Sequence, residues 1–97
     1  KRRGYRVELA EIEAALSAHP DIENAVVTAS PDAESGVRLD ATLVIPGSAR
    51  PSIVALKQYC SRNLPAYMIP DRFLFRETIP QTSTGKVDYQ KLQADAG

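Results

Sequence analysis

One cysteine and one histidine among 97 residues leave nothing for covalent or metallic bracing. Cys60 alone excludes an intrachain disulfide framework, and Cys60 with His19 cannot complete a structural zinc site. An excess of charge is missing too. Twelve Lys and Arg balance 12 Asp and Glu, so no global field favours nucleic acid or an anionic membrane. Any polyanion site must therefore be local. No apolar run approaches the roughly 18–20 residues that cross a bilayer, and Lys1-Arg2-Arg3-Gly4 lacks the apolar stretch of a secretory signal, which makes a cytoplasmic setting the expectation. Aromatics are limited to Tyr5, Tyr59, Tyr67, Phe73, Phe75 and Tyr89; three of these fall on expected helix or strand positions, so no aromatic RNA-binding strand can be assembled. There is no internal repeat and no low-complexity tract. The length allows one modest core, which excludes a two-domain enzyme with an interdomain cleft inside this chain.

What is present is the make-up of a globular domain, 43% apolar and 25% charged. A core this small confers marginal stability by itself, so support from a neighbouring domain is expected. From Glu8 to about Ala18, Leu9, Ile12 and Leu16 recur at helical spacing, with Glu8, Glu11 and Glu13 expected as solubilising and capping residues. His19-Pro20 ends that helix, and His19 reads as an end residue compensating the helix dipole rather than as a catalyst. Asn24 to Ala29 predicts a strand, Ser30-Pro31-Asp32 through Gly36 a turn, and Arg38 to Ile45 a second strand, the two pairing as a hairpin. The second strand alternates Leu39, Ala41, Leu43 and Ile45 on one face with Arg38, Asp40 and Thr42 on the other.

After a loop over Pro46 to Pro51, a helix from Ser52 to Asn63 sets Ile53, Leu56, Cys60 and Leu64 on one stripe, which places Cys60 in the core. Leu64 to Pro70 cannot be helical throughout, because Pro65 and Pro70 restrict themselves and their predecessors; a rigid connector is expected. A third strand at Arg72 to Phe75 sets Phe73 and Phe75 on one face. The polar loop Pro80 to Lys86 follows, and then Asp88 as the cap of a helix through Leu92. The order predicts an α+β fold: a small sheet, a β-hairpin plus a third strand, flanked by helices.

Two loops could carry chemistry. Thr82-Ser83-Thr84-Gly85-Lys86 places hydroxyls, a glycine and one cation together after a strand, a way to present an ammonium to a phosphate or carboxylate. The alternative is a solvated turn whose lysine does nothing. It is not a Walker A loop, which would need glycine in place of Pro80 and serine or threonine in place of Val87. Lys1 to Arg6 holds four of the twelve basic residues and is either a phosphate grip or a solvated face.

Read jointly, three segments carry a resemblance. Lys1-Arg2-Arg3-Gly4-Tyr5-Arg6-Val7-Glu8-Leu9-Ala10-Glu11-Ile12-Glu13 is similar to the eighth core motif of the adenylation domains of nonribosomal peptide synthetases. Leu64-Pro65-Ala66-Tyr67-Met68-Ile69-Pro70 resembles the ninth, and Pro80-Gln81-Thr82-Ser83-Thr84-Gly85-Lys86-Val87-Asp88 the tenth. The resemblance implies that residues 1–97 form the small, mobile C-terminal lid subdomain of an adenylate-forming, AMP-binding enzyme, with the large N-terminal ATP- and substrate-binding domain and the hinge residue upstream of Lys1.

The implied reaction activates an amino acid or related carboxylic acid with ATP and magnesium to an acyl-adenylate, then passes the acyl group to the phosphopantetheine thiol of a carrier protein. Lys86 matches the catalytic lysine, with Thr84 and Gly85 beside it in the phosphate loop. Gly4, with Lys1, Tyr5 and Arg6, matches the loop lining the pantetheine channel in the thioester-forming state. No metal ligands are implied on this chain, the large subdomain holding most of the ATP contacts and the magnesium. The implied partners are that subdomain, a carrier protein and an MbtH-like protein, with neither nucleic acid nor membrane, in the setting of antibiotic biosynthesis.

Two departures bear on the acceptor. Ser83-Thr84 stands where peptide synthetases commonly have proline-asparagine, and Tyr89 where they have arginine, a version resembling free-standing aminoacyl, prolyl and aryl-acid ligases and acyl-CoA synthetases. Gly4-Tyr5-Arg6-Val7-Glu8-Leu9 favours the carrier-protein branch. The competing readings are an acyl-CoA or aryl-acid ligase subdomain, a noncatalytic carrier-binding module, and a small nucleic-acid-binding domain using Lys1 to Arg6.

Overall fold

Leu9 to Ser17 winds into helix α1 because Ile12 and Leu16, one turn apart, can both be withdrawn completely from water. These features come from a computed structural model, which describes residues 4–34, 36–47 and 50–96, those from 93 onward by backbone alone. The α1 N-cap, Glu8, caps nothing with its side chain; its Oε1 instead meets Arg6 Nε at 2.9 Å. The helix closes as His19 N–H donates to the Leu16 carbonyl (3.0 Å) and Pro20 forbids a further turn. His19 Nδ1 accepts from the Asp21 N–H at 3.0 Å, so the imidazole fixes the exit from the helix.

Strands β1 (Asn24–Asp32) and β2 (Gly36–Val44) pair antiparallel from Asn24 opposite Val44 to Asp32 opposite Gly36. The expected hairpin is present, but Ser30-Pro31-Asp32 belongs to the strand rather than to the turn. The physical reason is position: β1 lies at the sheet edge, where a proline can leave its missing donor on the unpaired side. Strand β3 (Arg72–Phe75) pairs parallel with β2, Asp40 opposite Arg72 and Leu43 opposite Phe75, giving the order β1-β2-β3.

Being central, β2 is buried on both faces. Leu39, Ala41 and Leu43 join the core with Ile12 and Leu16, and with Leu56 and Cys60 of helix α2 (Ile53–Asn63). The opposite face carries Val26, Thr28, Asp40, Thr42 and Val44, all buried as well. The alternation read from the sequence is correct, therefore, but its polar side is not the wet one.

Helix α2 starts where the Ser52 Oγ accepts from the Ala55 N–H at 3.0 Å. Its stripe is narrower than expected. Leu56 and Cys60 are fully buried, but Ile53 is 43% exposed, because it sits at the first helical position and the core begins one turn further in. Tyr59 Oη donates to the Ala15 carbonyl (2.6 Å) and its ring meets His19 edge-on at 4.8 Å, joining α2 to α1. Glu13, expected as a solubiliser, does more: its Oε2 accepts the Val27 N–H at 2.8 Å and ties α1 to β1.

Burial pushes the Cys60 thiol up from 9.0 to about 11, since a thiolate would be stripped of water there. Cys60 should accordingly resist a water-soluble thiol reagent at pH 8 and label fully only once the chain is unfolded in urea, which thiol titration with and without denaturant checks.

The connector after α2 is a 3-10 turn, Ala66–Met68, closed by Met68 N–H to the Pro65 carbonyl at 2.9 Å. Met68 and Pro70 are buried, and a two-bond clamp secures the far end. Asp71 N–H donates to the Leu39 carbonyl, and the Asp71 Oδ2 accepts the Leu39 N–H, both at 2.8 Å.

Asp40 is 2% exposed and would be costly to bury alone. Arg72, its neighbour across the β2–β3 register, grips it with two bonds, Nε to Oδ1 and Nη2 to Oδ2, each 3.0 Å; Arg38 adds a third at 3.2 Å. Burial by itself raises the carboxyl pKa, but the hydrogen bonds and charges of Arg72 and then Arg38 outweigh it, and the net shift is downward. Asp40→Asn should cost about 1.5–3 kcal/mol in a urea denaturation at pH 7. Because the folded-state pKa lies below the ordinary 3.8, the wild-type advantage is complete above that value and is lost as pH falls through the folded one. The two stability curves should converge only on acidification below about pH 4.

Candidate functional site

The Lys86 loop is a miniature hairpin. Gln81 and Val87 bridge antiparallel, Thr82 N–H donates to the Lys86 carbonyl at 2.7 Å, and Asp88 N–H to the Pro80 carbonyl at 2.9 Å. Ser83, Thr84 and Gly85 form its three-residue tip, closed by Gly85 N–H to the Thr82 carbonyl at 3.0 Å. Such a tip needs its last residue in the left-handed region, and Gly85 supplies it with φ +82°. Beyond its chain neighbours, nothing among the described residues lies within 4 Å of a Cβ built there, so the conformation and not crowding asks for glycine. Thr82 Oγ1 and Thr84 Oγ1 share a hydrogen bond of 3.0 Å over the tip.

Lys86 follows directly on the return arm. Its backbone is fixed by the hairpin, its side chain is exposed, and among the described residues no carboxylate pairs with its ammonium. Asp88 then opens helix α3 (Tyr89–Ala96), its Oδ1 accepting the Lys91 N–H at 3.1 Å and its carbonyl the Leu92 N–H at 3.1 Å. The expected cap is present, and Leu92 is buried beneath the helix. The lysine is thus held between a glycine turn and a capped helix, a rigid base for a mobile point charge.

The second loop is built differently. Gly4 has φ +82°, and a Cβ placed on it meets nothing within 4 Å among the described residues. Tyr5 is 58% exposed and stacks on Tyr67 of the connector, ring centroids 4.6 Å apart and planes 14° from parallel. The Arg6 side chain, 86% exposed, is engaged by Glu8. Lys1, along with Arg2 and Arg3, lies outside the described residues. No hydrogen bond, ion pair or ring contact joins this loop to the Lys86 hairpin among the described residues, so the chain presents them as separate features.

Sequence reasoning placed Thr84, Gly85 and Lys86 together and Gly4 beside Tyr5 and Arg6, but it read Tyr67 as part of a rigid connector with no link to the Gly4 loop. Nothing in a one-dimensional pattern announces that the rings of Tyr5 and Tyr67 meet. Nor was the Arg38–Asp40–Arg72 cluster legible, since its two β-strand partners are 32 residues apart. Among the described residues no three of His, Cys, Asp and Glu come together in a way that could hold a metal, and no helix is long and apolar enough to cross a membrane.

Comparison with known proteins adds the family. A linear gramicidin synthase protein of Brevibacillus parabrevis is 49% identical over 94 residues, covering 97% of this chain and 1% of that protein. The L-proline--[L-prolyl-carrier protein] ligase of Streptomyces coelicolor is 44% identical over 97 residues, 99% of this chain and 18% of the ligase. Among solved structures, the amide bond synthetase McbA of Marinactinospora thermotolerans superposes with a TM-score of 0.86 at 32% identity, over 93% of this chain and 18% of that one. A fatty acyl CoA synthetase of Mycobacterium tuberculosis gives 0.84 at 29% identity, over 97% and 18%. The chain spans under a fifth of the length of these relatives. Residues 11–86, from the first turn of α1 to Lys86 itself, match the family described as the AMP-binding enzyme C-terminal domain, and the chain belongs to that family.

Proposed function

We propose that this chain is the lid subdomain of a ligase that activates an amino acid, or a related carboxylic acid, with ATP to an acyl-adenylate and transfers it to the phosphopantetheine thiol of a carrier protein. The observation that carries this reading is the Lys86 hairpin: an exposed ammonium, unpaired among the described residues, on a backbone locked by the Gly85 turn and the Asp88 cap. A carboxylate attacking the α-phosphate brings two anions together, and one positioned cation offsets that repulsion and the charge gathering in the transition state. Lys86 supplies that cation, and Thr84 and Gly85 shape its approach.

The Gly4 loop, with Lys1, Tyr5 and Arg6, serves the second half-reaction, lining the pantetheine channel after the lid has rotated about a hinge. The open space at Gly4 supports this: no described part of its own chain occupies it, which leaves it accessible to an incoming arm. The large N-terminal subdomain and the carrier protein are the partners, and an MbtH-like protein belongs to the same reading. In this reading magnesium accompanies ATP on the large subdomain, and no step is assigned to it on this chain.

The 44% identity to a prolyl-carrier ligase over the whole chain supports a carrier protein as acceptor. The likeness to a fatty acyl CoA synthetase favours coenzyme A as the second reading. The full-length enzyme tests both points. Substrate-dependent ATP–pyrophosphate exchange must require Lys86, and acyl loading must proceed on holo-carrier protein and not on coenzyme A; loading on coenzyme A alone transfers the assignment to the second reading.

A further inference from the structure

Tyr67 sits on a firmly anchored stretch of irregular backbone. Pro65 and Pro70 bracket it, Met68 beside it is buried, its turn is closed by the Met68 N–H at 2.9 Å, and the Asp71–Leu39 clamp fixes the exit. Tyr5 is less firmly framed. It follows a glycine in the left-handed region, precedes an exposed arginine paired with Glu8, and takes part in an isolated β-bridge rather than in one of the strands or helices of the described residues. Among the described residues, the stack at 4.6 Å and 14° is the one ring contact between this loop and the anchored connector. With Gly4 in the left-handed region and Arg6 on the surface, the Tyr67 ring is the described contact that orients the Tyr5 side chain.

We infer that Tyr67 is a positioning residue for acyl transfer: by stacking on Tyr5 it holds the Gly4 loop in register for the pantetheine arm, while leaving adenylation at Lys86 untouched. The inference rests on the assignment of the Gly4 loop to the second half-reaction. It extends that assignment to the connector, whose turn becomes the rigid template of the loop.

The full-length enzyme is assayed for ATP–pyrophosphate exchange and, separately, for loading of holo-carrier protein. Tyr67→Leu keeps the apolar bulk that a half-buried site needs and removes the stack; Tyr67→Phe keeps the stack. Tyr67→Leu should slow loading by about 3- to 10-fold, the rate equivalent of an aromatic pair, with exchange unchanged, and Tyr67→Phe should restore loading. In the Tyr5→Leu/Tyr67→Leu double variant the loss in loading should be no greater than in Tyr5→Leu alone, because Tyr67 acts through the Tyr5 ring.

Equal losses in exchange and loading, an additive double variant, or native loading in Tyr67→Leu each overturn the inference. Gly4→Trp separates this from failure of the underlying reading. If Gly4→Trp slows loading and Tyr67→Leu does not, only the positioning role is wrong; if neither slows it, the loop is not part of acyl transfer at all.

Discussion

Lys86→Ala in the full-length enzyme should lower ATP–pyrophosphate exchange by about a hundredfold or more, the cost of removing one preorganised charge from a transition state. Several features make this a clean measurement. Lys86 is exposed and makes no side-chain bond among the described residues, so truncating it removes no packing, and the melting temperature should be unchanged. Its backbone bond to Thr82 survives in any residue, so the hairpin persists. The loss should fall on the rate of the adenylation step rather than on substrate affinity, since the compensating charge is needed most as the carboxylate meets the α-phosphate. Lys86→Arg should recover only part of it, because a planar fork and a compact ammonium do not place charge at the same point. Full exchange in Lys86→Ala would dismiss the lysine as an ordinary solvated side chain.

Gly4→Trp should depress carrier loading by about 10- to 100-fold, the scale on which a misplaced reactant slows transfer, while exchange stays near its native rate. Two properties of the site add together. A side chain at φ +82° is strained by about 1–2 kcal/mol, and an indole would fill space that the described residues leave empty. Since nothing among the described residues lies within 4 Å of the new Cβ, the fold should survive and the penalty should appear only when another group enters. Gly4→Ala isolates the strain, and the difference between the two variants measures the bulk. Losses of equal size in exchange and loading would mean that Gly4 serves the fold or the first step, and the scheme of two loops taking turns would be abandoned.

Local signals made most of the elements readable. Apolar spacing gave α1 and α2, Ser52 and Asp88 marked helix starts that are present as bonds to Ala55 and Lys91, and the glycine before Lys86 is in the conformation a three-residue tip needs. The failures share a cause. Ser30 to Asp32 looks like a turn by composition, and only the edge position of β1 makes proline acceptable there. Ile53 fits the apolar stripe, but where the stripe meets the core depends on how far α2 overlaps the sheet. Glu13 looks like any solvated glutamate until β1 is laid beside it and offers the Val27 N–H.

By itself, the sequence determined the kind of protein this is: a small α+β unit without disulfide, carrying three motifs whose order and spacing mark the family. Those are properties of neighbouring residues and their periodicity, and they are set before the chain closes. The tertiary structure alone decided which groups meet. It placed Asp40 between two arginines on a central strand, withheld any partner from Lys86 among the described residues, and laid Tyr5 of one motif on Tyr67 of another. Such contacts depend on strand order and on how the connector packs, and side chains far apart along the chain leave no local pattern that could announce them.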